Sequence, residues 1–167
     1  MIQHLFPFAL SKKMILTLGI STRWGMSQSE VKQSENLKIH REDKDRVYYK
    51  DKLFGHEVVI SYAFHNNRLY QAAYILSKNK FSSNEEYVNT YNKIIDALTD
   101  KYGEPNVEGS SSIFKISGTK WIIGNTEIFA LLGDLGHCGI TYTNLEIKKE
   151  AEKAKEKRTL ADARFLS

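Results

Sequence analysis

Between residues 56 and 65 apolar and polar positions alternate. Val58, Ile60, Tyr62 and Phe64 share one parity; Glu57, Val59, Ser61 and Ala63 take the other. That is the period of a half-buried strand. Asn66 and Asn67 follow, and Asn tolerates the positive φ that a two-residue hairpin needs. "RLYQAAYILS" then returns as the partner strand. Upstream, Val47–Lys50 reads as a short strand and Leu53, Phe54 and Gly55 as a turn or bulge, so a meander of three antiparallel strands is expected. The period then lengthens. Tyr87, Tyr91, Ile94, Ile95, Leu98 and Tyr102 fall on one helical stripe. Ser82 and Ser83 each stand three residues before a Glu, Gly103 lies at the C-cap and Pro105 stops the helix. "EGSSS" at 108–112 reads as a connection. Beyond it four short strands are expected: "IFKI" before Gly118, "KWII", "TEIFALL" and "CGITYTNLEI". From Lys148 the pattern is helical, charged and weakly striped at Ala151, Ala154, Leu160, Ala161 and Phe165.

A first helix is signalled by "TRWGMSQSEVKQSE", residues 22–35. Ser27 and Glu30 have the spacing of a capping box, and Met26 and Val31 that of a hydrophobic staple. Gly25 permits a sharp turn into the helix; the helix is expected to run to about Asn36. The whole reads as an α+β domain: an antiparallel sheet with two helices on one face, in the order α-βββ-α-ββββ, and a charged C-terminal helix. Residues 22–147 form that domain, 148–167 the helical tail and 1–21 an N-terminal arm or weak signal-like segment. Some structural echo between the halves is visible, without a sequence repeat.

Composition adds limits. The 167 residues suffice for one domain with a core. Nine Tyr and eight Phe against two Pro favour sheet. Net charge is +4, but the C-terminal end carries seven cations among five carboxylates, and such interleaving differs from the one-sign patch of a nucleic-acid binder. Cys138 is the single cysteine, which excludes an intrachain disulfide and multi-thiolate zinc sites. The apolar pieces Leu5–Leu10 and Met14–Ile20 are too short to span a bilayer. The second follows Lys12 and Lys13 as a signal would, without a small-x-small cleavage site.

Trp24, Gly25, Met26, Ser27 and Val31 resemble the helix start of a family of small, uncharacterised bacterial proteins, many of them exported-looking. Similar text continues in "VYYKDKLFGHEVVISYAFHNNRLYQAAYI", "YNKIIDALTDKYGEP" and "TKWIIGNTEIFALLG", covering about residues 22 to 148. This resemblance implies an exported or periplasmic protein and no established activity. The Gly-Met-Ser-x-x-x-Val element is also similar to the small outer-membrane assembly lipoprotein and to β-lactamase-inhibitor-like domains. Those are helix-plus-sheet modules that bind other proteins, a likeness of fold. The chain lacks their lipobox cysteine, so lipid anchoring is not implied.

Catalytic candidates are sparse. His137 and Cys138 are adjacent on a strand and point to opposite faces; the thiol would need His40, His56 or His65 brought to it by the fold. His56 and His65 lie about 30 Å apart on an extended strand and cannot share a metal. "GDLGH" at 133–137 has β-pattern on both sides, which favours a hairpin over a phosphate loop. Glu85 and Glu86 serve as helix-start carboxylates; Asp43 and Asp45 lie in the charge run "HREDKDR". No cofactor or metal is expected. A sheet face carrying Tyr70 and Tyr74 with Arg68 or Lys120 is a candidate interaction surface. The expected function is a non-enzymatic module binding another protein through its sheet face or C-terminal helix. The alternatives are a nucleic-acid-associated protein using the basic tail, or a small Cys/His enzyme.

Overall fold

The computed structural model describes residues 22–111, 116–133 and 137–165. The expected N-terminal arm, residues 1–21, lies outside the described residues, as do residues 113–115 of the expected strand "IFKI" and the middle of the "GDLGH" turn. In chain order the elements are α1 (Gln28–Ser34), β1 (Ile39–Asp43), β2 (Arg46–Leu53), β3 (His56–His65), β4 (Arg68–Ser77), α2 (Asn84–Tyr102), β5 (Val107–Ser111), β6 (Ile116–Ile123), β7 (Thr126–Gly133), β8 (His137–Asn144) and α3 (Leu145–Phe165). The eight strands form one sheet in the order β1-β2-β3-β4-β8-β7-β6-β5, antiparallel at every step. The architecture is α+β, as the alternation implied.

A helix followed by a four-stranded meander occurs twice, and the strand order reads the same when the halves are exchanged. The echo between the halves is therefore structural. β4 and β8 join them, paired from Gln71↔Thr143 to Ser77↔His137. At this seam Gly139 is needed: a Cβ there would lie 2.1 Å from the Tyr74 carbonyl oxygen. Two-residue turns set the register of four hairpins, at 44–45, 54–55, 66–67 and 124–125. Asn66 (φ 49°) and Asn67 (φ 57°) both adopt the left-handed conformation expected of them.

Three expectations change. The charge run 40–46 is not a loop: it forms β1 and its hairpin into β2. All five β1 residues are exposed, so no burial alternation marks this edge strand. Residues 108–111 of "EGSSS" likewise belong to an edge strand, β5, held by pairing with β6 rather than by their own propensity. Gly118 does not divide two strands; β6 runs through it, and the Phe129 ring occupies the space its missing side chain leaves, 2.8 Å from where a Cβ would be. The order is thus α-ββββ-α-ββββ-α. In addition, α1 ends at Ser34 and α3 begins at Leu145, where the Asn144 side chain accepts from the Ile147 N–H at 3.0 Å.

Both main helices begin as their capping signals require. Glu30 N–H donates to Ser27 Oγ, and Ser27 N–H to the Glu30 carboxylate at 2.7 Å. For α2, Glu86 N–H donates to Ser83 Oγ at 3.1 Å while its carboxylate accepts from Ser82 N–H. The stretch before α1 also fastens the molecule. Gly25 N–H donates to the Leu69 carbonyl and Leu69 N–H to the Met26 carbonyl. The Asn67 side chain accepts from Gln28 N–H. Trp24 Nε1 reaches Thr126 Oγ1 in the other half at 3.0 Å.

The core lies between the sheet and these two helices. Val47, Tyr49, Val58, Ile60 and Tyr62 from the first half meet Trp121, Ile128, Ala130, Ile140 and Tyr142 from the second. Each fully buried Ile or Leu contributes about 1.5–3 kcal/mol. Buried aromatics also need partners for their polar tips. Tyr62 donates to Glu35, Tyr87 to the Gly133 carbonyl and Trp121 Nε1 to the Gly103 carbonyl. These bonds fix α1, α2 and the end of α2 to one face of the sheet.

Candidate interaction face

Strand parity places every second residue on the opposite face. Tyr48 and Lys50 of β2, Val59, Ser61 and Ala63 of β3, and Gln71, Ala73 and Ile75 of β4 share it. The second half adds Gly139, Thr141 and Thr143 of β8, Glu127, Phe129 and Leu131 of β7, and Gly118, Lys120 and Ile122 of β6. Neither α1 nor α2 covers this face, but α3 lies against one end of it, where Lys148, Ala151 and Glu152 line a cleft with Gln71. Its three middle strands carry small side chains, with Ser61, Ala63 and Thr143 buried among them. Larger apolar groups flank that trough. Val59, Ile75, Phe129 and Leu131 are half-buried, while Val107 and Ile122 toward the β5 edge are 54% and 39% exposed. Ser61 is 2% exposed, and among the described residues its hydroxyl has no hydrogen-bond partner.

The charged groups of the face lie off its centre. Glu57 stands between Lys50 (3.7 Å) and Lys80 (3.6 Å). Glu127 stands between Lys120 (3.5 Å) and Lys148 (3.6 Å). These two Lys–Glu–Lys groups occupy matching places in the two halves: a lysine of the second strand, a glutamate at the start of the third, and a lysine from the segment after the fourth. At the β1 edge Arg41 lies over the Tyr48 ring, 4.4 Å from its centroid, and pairs with Asp43 at 2.6 Å.

The expected surface of Tyr70, Tyr74, Arg68 and Lys120 does not assemble. Tyr74 is 4% exposed and points to the helix side, because it pairs with Ile60 and is edge-on to Tyr142. Tyr70 is the extra residue of a bulge opposite Ala63 and Phe64. It lines a cleft against α3 together with Gln71 and Lys148. Arg68 pairs with Glu150 of α3. Of the four, Lys120 alone projects from the face that α1 and α2 leave uncovered.

The catalytic candidates also separate. Cys138 is buried on the helix side, and burial pushes its thiol up to about 11, away from the reactive thiolate. His56 lies against the Phe81 ring at 4.3 Å and 3.8 Å from Glu86. His65 stands at the other end of β3, in a cleft of about 610 Å³ with Lys44, Asp45, Phe64, Asn66 and α3. Among the described residues no three His, Cys, Asp or Glu side chains converge as metal ligands. One polar group went unnoticed in the sequence. The Glu35 carboxylate, half-buried at the end of α1, accepts from Tyr62 at 2.6 Å, and its pKa is raised, first by burial and then by Asp51. Its position after the last helical apolar residue, Val31, gives no warning that it turns inward.

No family model matches the sequence, and no curated protein does. Among solved structures the chain is similar to a DUF4309 family protein (YjgB) from Bacillus subtilis subsp. subtilis str. 168. The identity is 12%, over 83% of this chain and 92% of that one, with a TM-score of 0.45.

Proposed function

We propose that this protein is a non-enzymatic interaction module that binds another protein through the face of its sheet that α1 and α2 leave uncovered. The observation that carries this reading is the placement of both α1 and α2 on one side. It leaves most of the other side as a broad surface whose middle strands are uncharged, with Ala, Gly, Val and Ile among Ser, Thr and Gln, and whose charges lie toward the rim. A centre depleted of charge with a charged surround is the usual anatomy of a protein interface. Among the described residues the buried thiol and the separated histidines form no competing catalytic arrangement. The test is Ala73→Arg. Ala73 lies at the middle of the face, between Ser61 and Thr141, so a guanidinium there blocks docking while leaving the core alone. Proteins retained by the immobilised wild type from a lysate of the source organism should be lost with the variant, at unchanged melting temperature. Retention unaltered by the substitution removes this face from consideration.

A further inference from the structure

Resting on that reading, we infer that the partner is a polypeptide segment with an apolar middle and acidic side chains at both ends, laid diagonally across the face that α1 and α2 leave uncovered. On the strands this face carries Arg41, Arg46, Lys50, Lys52 and Lys120 against Asp43, Glu57 and Glu127. Lys80 and Lys148 join from outside the sheet, and Glu152 and Lys155 of α3 line the cleft at Gln71. The cations still predominate: Lys50 and Lys80 flank Glu57 and Lys120 and Lys148 flank Glu127 at opposite corners, while Arg41 and Arg46 lie at the β1 edge beside Asp43. Each of those glutamates is shared by two lysines, so each corner retains an excess of one positive charge.

The spacing follows from the register. Glu127 is level with Thr143, Gln71 and Ala63, which lies about six residues along β3 from Glu57. With three strand spacings between β3 and β7, the corners are on the order of 25 Å apart. An extended chain crosses that distance in about seven residues. Between the corners, β4 presents Gln71, Ala73 and Ile75 and β8 presents Gly139, Thr141 and Thr143, with no charged side chain. A phosphodiester backbone carries charge at every nucleotide and gains by neutralising it continuously; an uncharged centre gives it nothing to pair with. A polypeptide can match both parts, apolar side chains in the trough and carboxylates on the lysines.

The test is selection of a phage-displayed random dodecapeptide library on the immobilised full chain, followed by affinity measurement of the enriched peptides. The expected peptides have acidic residues about seven positions apart flanking apolar ones. They bind less tightly in high salt, lose about tenfold or more on Lys50→Glu combined with Lys120→Glu, and fail to bind Ala73→Arg. Thermal unfolding of the variants establishes that they remain folded. Peptides that are blocked by Ala73→Arg but lack acidic ends, or ignore the charge reversal, overturn the acidic chemistry and leave the docking face standing. Peptides indifferent to Ala73→Arg, or no enrichment at all, overturn both. Displacement of the peptides by duplex DNA or oligo(dT) at equal charge concentration overturns the choice of a polypeptide over a nucleic acid.

Discussion

At the scale of single residues, Glu35 is the group whose surroundings oppose its ordinary state. Burial and the nearby Asp51 raise its pKa above 4.5, and Tyr62 offsets this in part by donating to the carboxylate. A carboxyl with a raised pKa binds protons better in the folded chain than in the unfolded one. Its contribution is therefore fully present below the unfolded value and is lost as pH rises through the folded one. Glu35→Gln keeps an acceptor for Tyr62 and removes the buried charge. The variant should melt above the wild type at pH 8, with the difference disappearing near pH 4; thermal unfolding across that range measures it. A wild type that melts higher throughout would show that the tyrosine bond outweighs the cost of burial. Glu35 also shows what a sequence hides at this scale. Tyr62 was legible as an inward residue from alternation alone, but its partner stands outside any periodic element. Tyr74 failed differently: parity states that Tyr74 and Ala73 face opposite ways, not which way is covered.

At the scale of elements, legibility tracked how locally each structure is determined. The helix starts were readable because donor and acceptor are three residues apart. Ser27→Ala removes the acceptor for Glu30 N–H and should cost about 1 kcal/mol in chemical denaturation, without affecting any partner bound on the opposite face. The edge strands β1 and β5 were not readable. One is exposed on both sides, and the other is Gly- and Ser-rich, so each exists because a neighbour offers a ladder. Glycines divide along the same line. Gly118 and Gly139 look equivalent in sequence, each among strand residues. At Gly139 an added methyl meets backbone across the seam, while at Gly118 it meets the end of the Phe129 ring, which can swing aside. Gly139→Ala should therefore destabilise by about 3 kcal/mol or more and Gly118→Ala by about 1. Equal effects in denaturant titration would mean that the seam yields as readily as a side chain.

At the scale of the whole molecule, the two halves share one sheet and one core. Trp24 of the first half bonds to Thr126 of the second, and the β4–β8 ladder makes their sheets continuous. The number and order of most elements could be read from the sequence, whereas the joining of β4 to β8 could not, since neither strand's own pattern names its neighbour. The corner charges were hidden for the same reason: Lys50 and Glu57 are near in sequence, but their counterpart across the face is set by a pairing between strands far apart in the chain.

That pairing has a consequence during synthesis. The ribosome releases the first meander complete, yet β4 then presents its outer edge to the cytosol or to a translocation channel until residues 137–144 emerge. Local pairing makes the early unit quick to form, so the waiting edge is a formed strand, open to the β4 of a neighbouring nascent chain. A fragment ending at Ser77 should self-associate in sedimentation, whereas the full chain, whose β8 occupies that edge, should not do so through β4. A monomeric, folded fragment would show that the edge has some other protection. Stalls in translation between β4 and β8 should then matter more to the yield of this protein than stalls elsewhere along the message.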